Sequence, residues 1–188
     1  MDMGPILADE LDRAIRRAKP SSAPSPFDWI SYLIFKKCPA LQVAILNLMN
    51  SVLSDGVIPS SWKAAAVKLI PKSAAAGDPS SPGNFRPIAL TPSISKLFSG
   101  ILKDRWLLHM KANKYLDSDI QKAFLPTTPG VTEHQVKLGA IIKAAKRSKQ
   151  SLAIAWLDIA NAYGSVHHNL IQFAMAHYYA PPEFCQLL

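Results

Sequence analysis

The sequence predicts an α+β protein in which helices dominate and the few strands are buried. Three observations lead there. Apolar residues recur at three- and four-residue spacing along several long stretches. Two apolar runs, "KAAAVKLIPK" and "LAIAWLD", are short and lack that spacing. Of the 188 residues, 49% are hydrophobic and 18% charged, a composition that folds rather than stays disordered.

The first helix is "LADELDRAIRRA", with Leu7, Leu11, Ala14 and Ile15 on one side. It ends before Lys19 to Pro26, where three prolines forbid continuation. "DWISYLIFKKC" follows, with Asp28 as expected N-cap and Lys36 and Lys37 near the negative C-terminal end. Pro39 separates it from "ALQVAILNLMNSVLSDG", an apolar-striped helix closed by Gly56. The run between Trp62 and Pro71 reads as a strand ending in a turn. "SAAAGDPSSPGNF" is rich in small residues, Gly and Pro, and is expected to be a mobile surface loop. After "RPIAL" comes the clearest helix, from about Pro92 to Asn113, capped by Thr91. Its Ile94, Leu97, Phe98, Ile101, Leu102 and Arg105 share one face, and Lys96 and Lys103 the other. Thr132 is expected to cap a helix through about Ser148. "LAIAWLD" reads as a strand covered on both faces. "HNLIQFAMAHYY" is a further helix, and "PPEFCQLL" begins another. An ending there suggests a continuation.

No apolar run reaches the length of roughly 18 residues that a membrane span needs. The opening "MDMGPILADELDRAIRR" lacks the apolar core of a signal peptide, and Cys38 and Cys185 read as reduced thiols of an intracellular protein. Net charge is +8. Between Ser60 and Tyr115 stand Lys63, Lys68, Lys72, Arg86, Lys96, Lys103, Arg105, Lys111 and Lys114 against Asp78 and Asp104, a local excess of +7. A second basic cluster runs from Lys143 to Lys149. Clustered positive charge favours a polyanion, because each neutralised phosphate releases counterions; a solvated basic face is the other reading.

One carboxylate stands out. Asp158 ends an apolar strand. Such an acid can be a turn residue or a helix N-cap. It is also a good mount for a divalent cation, held stiffly in dry surroundings. Free backbone N–H groups at Ala162 and Tyr163, where the chain turns towards a helix, could face a phosphate; Tyr163 can equally be a packed ring. His167 and His168 diverge on a helix and, with His177, lack a cysteine or acid at ligand spacing, so zinc is not expected. Trp62, Trp106 and Trp156 are read as core or helix-packing residues.

"WLDIANAYGSVHHNLI" resembles the first catalytic block of reverse transcriptases from non-LTR retrotransposons, in which an aspartate ends a palm strand and an aromatic follows five positions on. Four more stretches fall in that family's order. "SAPSPFDWISY" is similar to S-P-G-P-D-G-I-P. "WKAAAVKLIPK" resembles the fingers strand before the triphosphate loop. "NFRPIALTPSISKLFSGILKDRW" resembles N-Y-R-P-I-S-L and its long helix. "LDSDIQKAFLPTTPGVTEH" resembles the Q-x-G-F-R block.

The resemblance implies the helix-rich fingers and partial palm of a right-hand polymerase, truncated before its second catalytic block. Residues 1–59 would be an N-terminal helical extension of the fingers, 60–150 fingers with a basic nucleotide- and template-binding face, and 151–188 the start of the palm. Asp158 would be the catalytic carboxylate and would hold two Mg2+ ions, with the carbonyl of Ile159 as a further ligand. Tyr163 would sit under the sugar and exclude a 2′-hydroxyl. Lys72 and Arg86 would reach the triphosphate. RNA template, DNA primer, a deoxynucleoside triphosphate and the remainder of the polymerase are the implied partners, with no membrane, in nucleus or cytoplasm.

The pattern also departs from the family. Gly164 stands where many relatives carry a second Asp. The Q-x-G-F-R block is "QKAFLPTTPG", without its arginines, which puts template contacts there in doubt. No two aspartates are adjacent anywhere in the sequence. With one carboxylate of three, turnover is expected to be abolished. Three readings remain: a polymerase portion inactive as this chain, a catalytically dead nucleic-acid-binding remnant, or a non-functional translated piece of a mobile element.

Overall fold

The computed structural model describes residues 1–21, 24–72, 81–123, 125, 130–159 and 162–187, and for Tyr163 the backbone alone. Contacts divide the chain into two units, Met1–His109 with Tyr179–Leu188, and Met110–Tyr178. Helices dominate, with a small antiparallel pair of strands, as the α+β expectation requires.

In the first unit, α1 (Ala8–Arg17) buries Leu11, Ala14 and Ile15. Leu7 does not join them: it is the N-cap residue and exposed. Glu10 reaches back to accept the Leu7 N–H at 2.9 Å, half of a capping box. At the other end of α1, the Lys36 ammonium donates to the carbonyls of Arg16 (3.2 Å) and Ala18 (2.8 Å). That is a cation on orphan acceptors at the negative helix end.

α2 (Tyr32–Lys37) is capped by Ser31, not Asp28. Asp28 has another task. Its Oδ2 accepts the N–H of Ser93, the first residue of α5 (Ser93–Ala112), at 2.6 Å, and its Oδ1 accepts that of Ile30 at 3.1 Å. The Ser93 hydroxyl returns a bond to the Ile30 carbonyl at 3.0 Å. The cap of α5 thus comes from 65 residues upstream, a distance that local spacing cannot reveal. α3 (Pro39–Asp55) takes Pro39 as its first residue and ends on Gly56 at φ 67°, the left-handed geometry glycine adopts without strain. α4 (Ser60–Lys63) and α9 (Pro182–Gln186) are further helices of the unit.

Its core joins Ile6, α1, Phe35, α3 (Ile45, Met49, Val52, Leu53), Trp62, α5 (Leu97, Phe98, Ile101, Leu102) and Phe184. Ile94 is only half-buried. Trp62 packs on Phe98 and Trp106 stacks on Phe184. Among the described residues the buried charge is Arg105, 5% exposed. It meets both oxygens of Glu10 and donates to the carbonyls of Asp2 (3.3 Å), Gly4 (2.6 Å) and Pro5 (3.0 Å). Asn50 of α3 holds the next residue from both sides, accepting the Ile6 N–H at 2.6 Å and donating to its carbonyl at 3.1 Å.

β1 (Ala66–Pro71) pairs antiparallel with β2 (Phe85–Leu90), with Ala66 opposite Leu90 and Pro71 opposite Phe85. β2 occupies "RPIAL", a stretch to which the sequence reading assigns no element, and Pro87 within it lacks a backbone donor. A two-stranded pair has two free edges, so a residue lacking an N–H is tolerated there. Of the expected loop, residues 73–80 lie outside the described residues.

The second unit contains α6 (Gly130–Ser148), which starts two residues before Thr132, then α7 (Ala162–Ser165) and α8 (His168–His177). Lys122 pairs with Glu133 at 2.7 Å, and Gly130 lies so close that a Cβ there would come within 2.4 Å of the Lys122 Cβ. The expected covered strand is not formed. Ser151–Ile159 carries no strand ladder, and Trp156 and Leu157 are 79% and 96% exposed. An apolar run becomes a strand only where a neighbour accepts its backbone bonds and covers its faces; among the described residues of this unit no strand is present to do so. Trp156 is therefore not a core residue here, whereas Trp62 is buried and Trp106 packs against a helix.

Candidate functional site

The antiparallel register decides which hairpin side chains act together. Directly opposite residues share a face and alternate along each strand. Lys68 stands opposite Ile88, and Ile70 opposite Arg86. Lys72, two residues beyond Ile70, extends the same face, its N–H donating to the Asn84 carbonyl at 2.8 Å. Arg86 Nη1 reaches the Lys72 carbonyl at 3.3 Å. The structure therefore brings together Lys72 and Arg86, the two residues expected to meet a triphosphate. It adds Lys68, which from the sequence stands only as one of nine basic residues; its signal is the alternation Lys68, Ile70, Lys72 around apolar neighbours. All three side chains are exposed, so the face can offer a row of cations to phosphate oxygens without a desolvation cost.

Not every basic residue of that stretch is free. Arg105 is consumed by Glu10 and by backbone carbonyls, and its hydrogen bond to Glu10 holds its pKa above the ordinary arginine value. The same bond holds the Glu10 carboxyl below its usual value, against the opposing effect of burial. Lys103 lies 3.0 Å from Asp104, which also binds Arg17. Burial pushes the Asp104 carboxyl up, and the two cations more than reverse it.

Asp158, Ile159, Ala162 and Tyr163 belong to the second unit, Lys72 and Arg86 to the first. Asp158 is exposed at the end of the extended stretch, and its Oδ1 accepts the N–H of Ile159 at 2.9 Å. The stiff, dry mount expected for it is absent, since the segment is not built into a sheet. Ala162 opens α7, one turn of helix; the Tyr163 side chain lies outside the described residues. Among the described residues no three His, Cys, Asp or Glu side chains gather where they could hold a metal ion. Magnesium takes oxygen ligands, commonly one or two carboxylates with substrate phosphates. Asp158 supplies one carboxylate and does not by itself make such a site. His167 has a structural part: its ring Nδ1 accepts the Asn169 N–H at 3.2 Å as the cap of α8. The degraded Q-x-G-F-R block lines an open cleft of 410 Å³ between Ile120–Ala123 and the start of α6; Phe124 and residues 126–129 lie outside the described residues.

No protein-family model matches the chain. Curated proteins do. It is 33% identical over 135 residues to the Pol polyprotein of the type-1 retrotransposable element R2 of Bradysia coprophila, which is 72% of this chain and 14% of that protein. It is 29% identical over 176 residues to the Pol polyprotein of the type-2 element R2DM of Drosophila melanogaster, 93% of this chain and 15% of that one. The RNA-directed DNA polymerase of the D. melanogaster mobile element jockey is 30% identical over 129 residues, 69% of this chain and 14% of the polymerase. The chain is a homologue of the reverse transcriptases of mobile elements. More narrowly, its relatives are Pol polyproteins and polymerases of non-LTR retrotransposons, the family that the ordered motifs resemble. It spans 14% to 15% of the length of these three. Among the described residues no helix is long and apolar enough to cross a membrane.

Proposed function

We propose that this chain is the fingers and first palm portion of a non-LTR retrotransposon reverse transcriptase, and that by itself it binds nucleic acid without polymerising it. The observation that carries the binding is the single hairpin face holding Lys68, Lys72 and Arg86. Phosphate contact is what such a face does best, since exposed cations release counterions when they meet a polyanion. The ancestral chemistry is magnesium-dependent nucleotidyl transfer. Asp158 would be its first carboxylate, Ile159 would offer a carbonyl, and the backbone at Ala162 and Tyr163 would face the nucleotide. RNA template, DNA primer and a deoxynucleoside triphosphate are the corresponding partners. No catalytic step is assigned to this chain, because one exposed carboxylate cannot clamp two metal ions.

Two measurements test the reading. Titration of the chain with a labelled RNA–DNA duplex should give an affinity that falls with salt at a log–log slope of about −5, if about six phosphates are met. A slope near zero refutes the binding. Primer extension on an RNA template with magnesium should yield no product; incorporation by the purified chain would overturn the inactivity. The alternative of a translated piece of a mobile element with no role of its own is favoured by the exposed apolar stretch Leu152–Ile159. Aggregation without a cooperative thermal transition would support it.

A further inference from the structure

Among the described residues, four non-glycine residues have a positive φ: Lys114, Lys149, Tyr179 and Trp29. The first three follow the ends of α5, α6 and α8, where a left-handed residue commonly closes a helix. Trp29, at φ 51°, closes only the single turn of Pro26–Asp28, its N–H donating to the Ser25 carbonyl at 3.0 Å. For a bulky side chain this backbone is an outlier with a steric cost. Burial does not offset it, because Trp29 is 76% exposed.

Strain persists where the surroundings over-determine it, and here they do. Asp28 on one side is fixed to Ser93 and Ile30, and Ile30 on the other side accepts the Ser93 hydroxyl. The indole stands on a rigid post that it gains nothing from occupying. Phe27, 46% exposed, lies two positions away, and Lys96 is exposed one turn along α5 from Ser93. We propose that Trp29 is a stacking surface for an unpaired nucleic-acid base, with Lys96 meeting the adjoining phosphate. A flat π-face on a backbone held by Asp28 and Ile30, with Lys96 exposed on the helix that Asp28 caps, suits a base better than an apolar peptide, and the net charge of +8 points the same way. The inference rests on the nucleic-acid-binding reading above and names a single-stranded segment as part of the ligand.

The decisive variant is Trp29→Gly, because a structural role and a binding role predict opposite signs. Glycine relieves the backbone, so the thermal midpoint should hold or rise. Affinity for a fluorescein-labelled single-stranded RNA of mixed sequence should fall about tenfold, with the salt slope unchanged since no cation is lost. Trp29→Phe keeps a ring and should retain most of the affinity; a hairpin RNA with no unpaired bases beyond its loop should feel both changes less. Unchanged single-strand affinity in Trp29→Gly overturns the proposal while leaving salt-dependent binding by the parent intact. An equal loss in Trp29→Phe, or on duplex, also overturns it. So does a change in oligomeric mass without a change in affinity, which would make Trp29 a protein contact. Absence of any RNA binding by the parent would sink the underlying reading itself.

Discussion

Arg105 and Glu10, 95 residues apart in sequence, meet through two near-parallel bonds, Nε to Oε1 at 2.8 Å and Nη2 to Oε2 at 2.7 Å. The remaining donors of the guanidinium hold three carbonyls of the N-terminal segment. Its planar fork is what allows one side chain to serve all five acceptors. Arg105→Met should therefore cost about 3–5 kcal/mol, because Glu10 is left charged and largely buried. The thermal midpoint should fall by roughly 10 °C or more. Arg105→Lys should recover little of this. The double variant with Glu10→Gln should be less damaged than the sum of the singles, since no lone charge remains. Thermal denaturation of the parent and the four variants checks the whole set.

The same pair sets a pH dependence. Glu10 has a lowered pKa in the folded chain, chiefly from its hydrogen bond with Arg105. Its stabilisation is complete above the unfolded value of about 4.3 and is lost as pH falls through the lower folded value. Asp104, lowered by Arg17 and Lys103 despite its burial, adds to the loss in the same acid window. The thermal midpoint should be level from neutral pH down to about 5 and then drop. Glu10→Gln should start lower and show a shallower acid limb; an identical limb would remove Glu10 from the account.

Asp28 caps α5 from a distance. Asp28→Ala should cost about 2 kcal/mol, the upper end for loss of a cap, because the acceptor is charged and two N–H groups lose it. Asp28→Asn keeps an acceptor and should restore about half. Urea denaturation distinguishes the two.

Gly130 has no room for a side chain. A methyl group would press on the Lys122 Cβ, and the tether of Lys122 to Glu133 restricts its escape. Gly130→Ala should destabilise the second unit by about 1–3 kcal/mol, the range for overpacking. Faster amide exchange in α6, with α1 and α3 unchanged, is the expected signature.

On the hairpin, Lys68→Ala and Arg86→Ala should each weaken RNA–DNA binding on every sequence and reduce the salt slope by about 1. Lys103→Ala should do less, because its ammonium already has Asp104 beside it. Equal effects at all three positions would mean diffuse attraction instead of a defined face.

How much of this the sequence discloses depends on the range of the forces involved. The stripes of α1, α3 and α5 are local, and Leu11, Ile15, Met49, Leu97 and Ile101 are buried as their spacing requires. The Gly56 stop is local as well. Asp28 reads as the cap of its own helix because a cap is sought within a turn, not 65 residues away. Arg105 falls on the core face by spacing and still adds to the local positive excess, because its partner lies in α1, beyond local spacing. Lys72 and Arg86 are singled out by ordered motifs, and Lys68 joins their face only through the register. For Asp158 the motif names the residue, but the mount depends on neighbours that an apolar run cannot specify.

The bare stretch from Ser151 to Ile159 has one more consequence. Proteases take their substrates as extended chain, with side chains standing free of the backbone. Trp156 and Leu157 already present that shape, so a chymotrypsin-like enzyme should nick the chain there before it touches any helix. Such a cut would sever α6 from α7 and α8 while sparing the segment that Arg105 ties down.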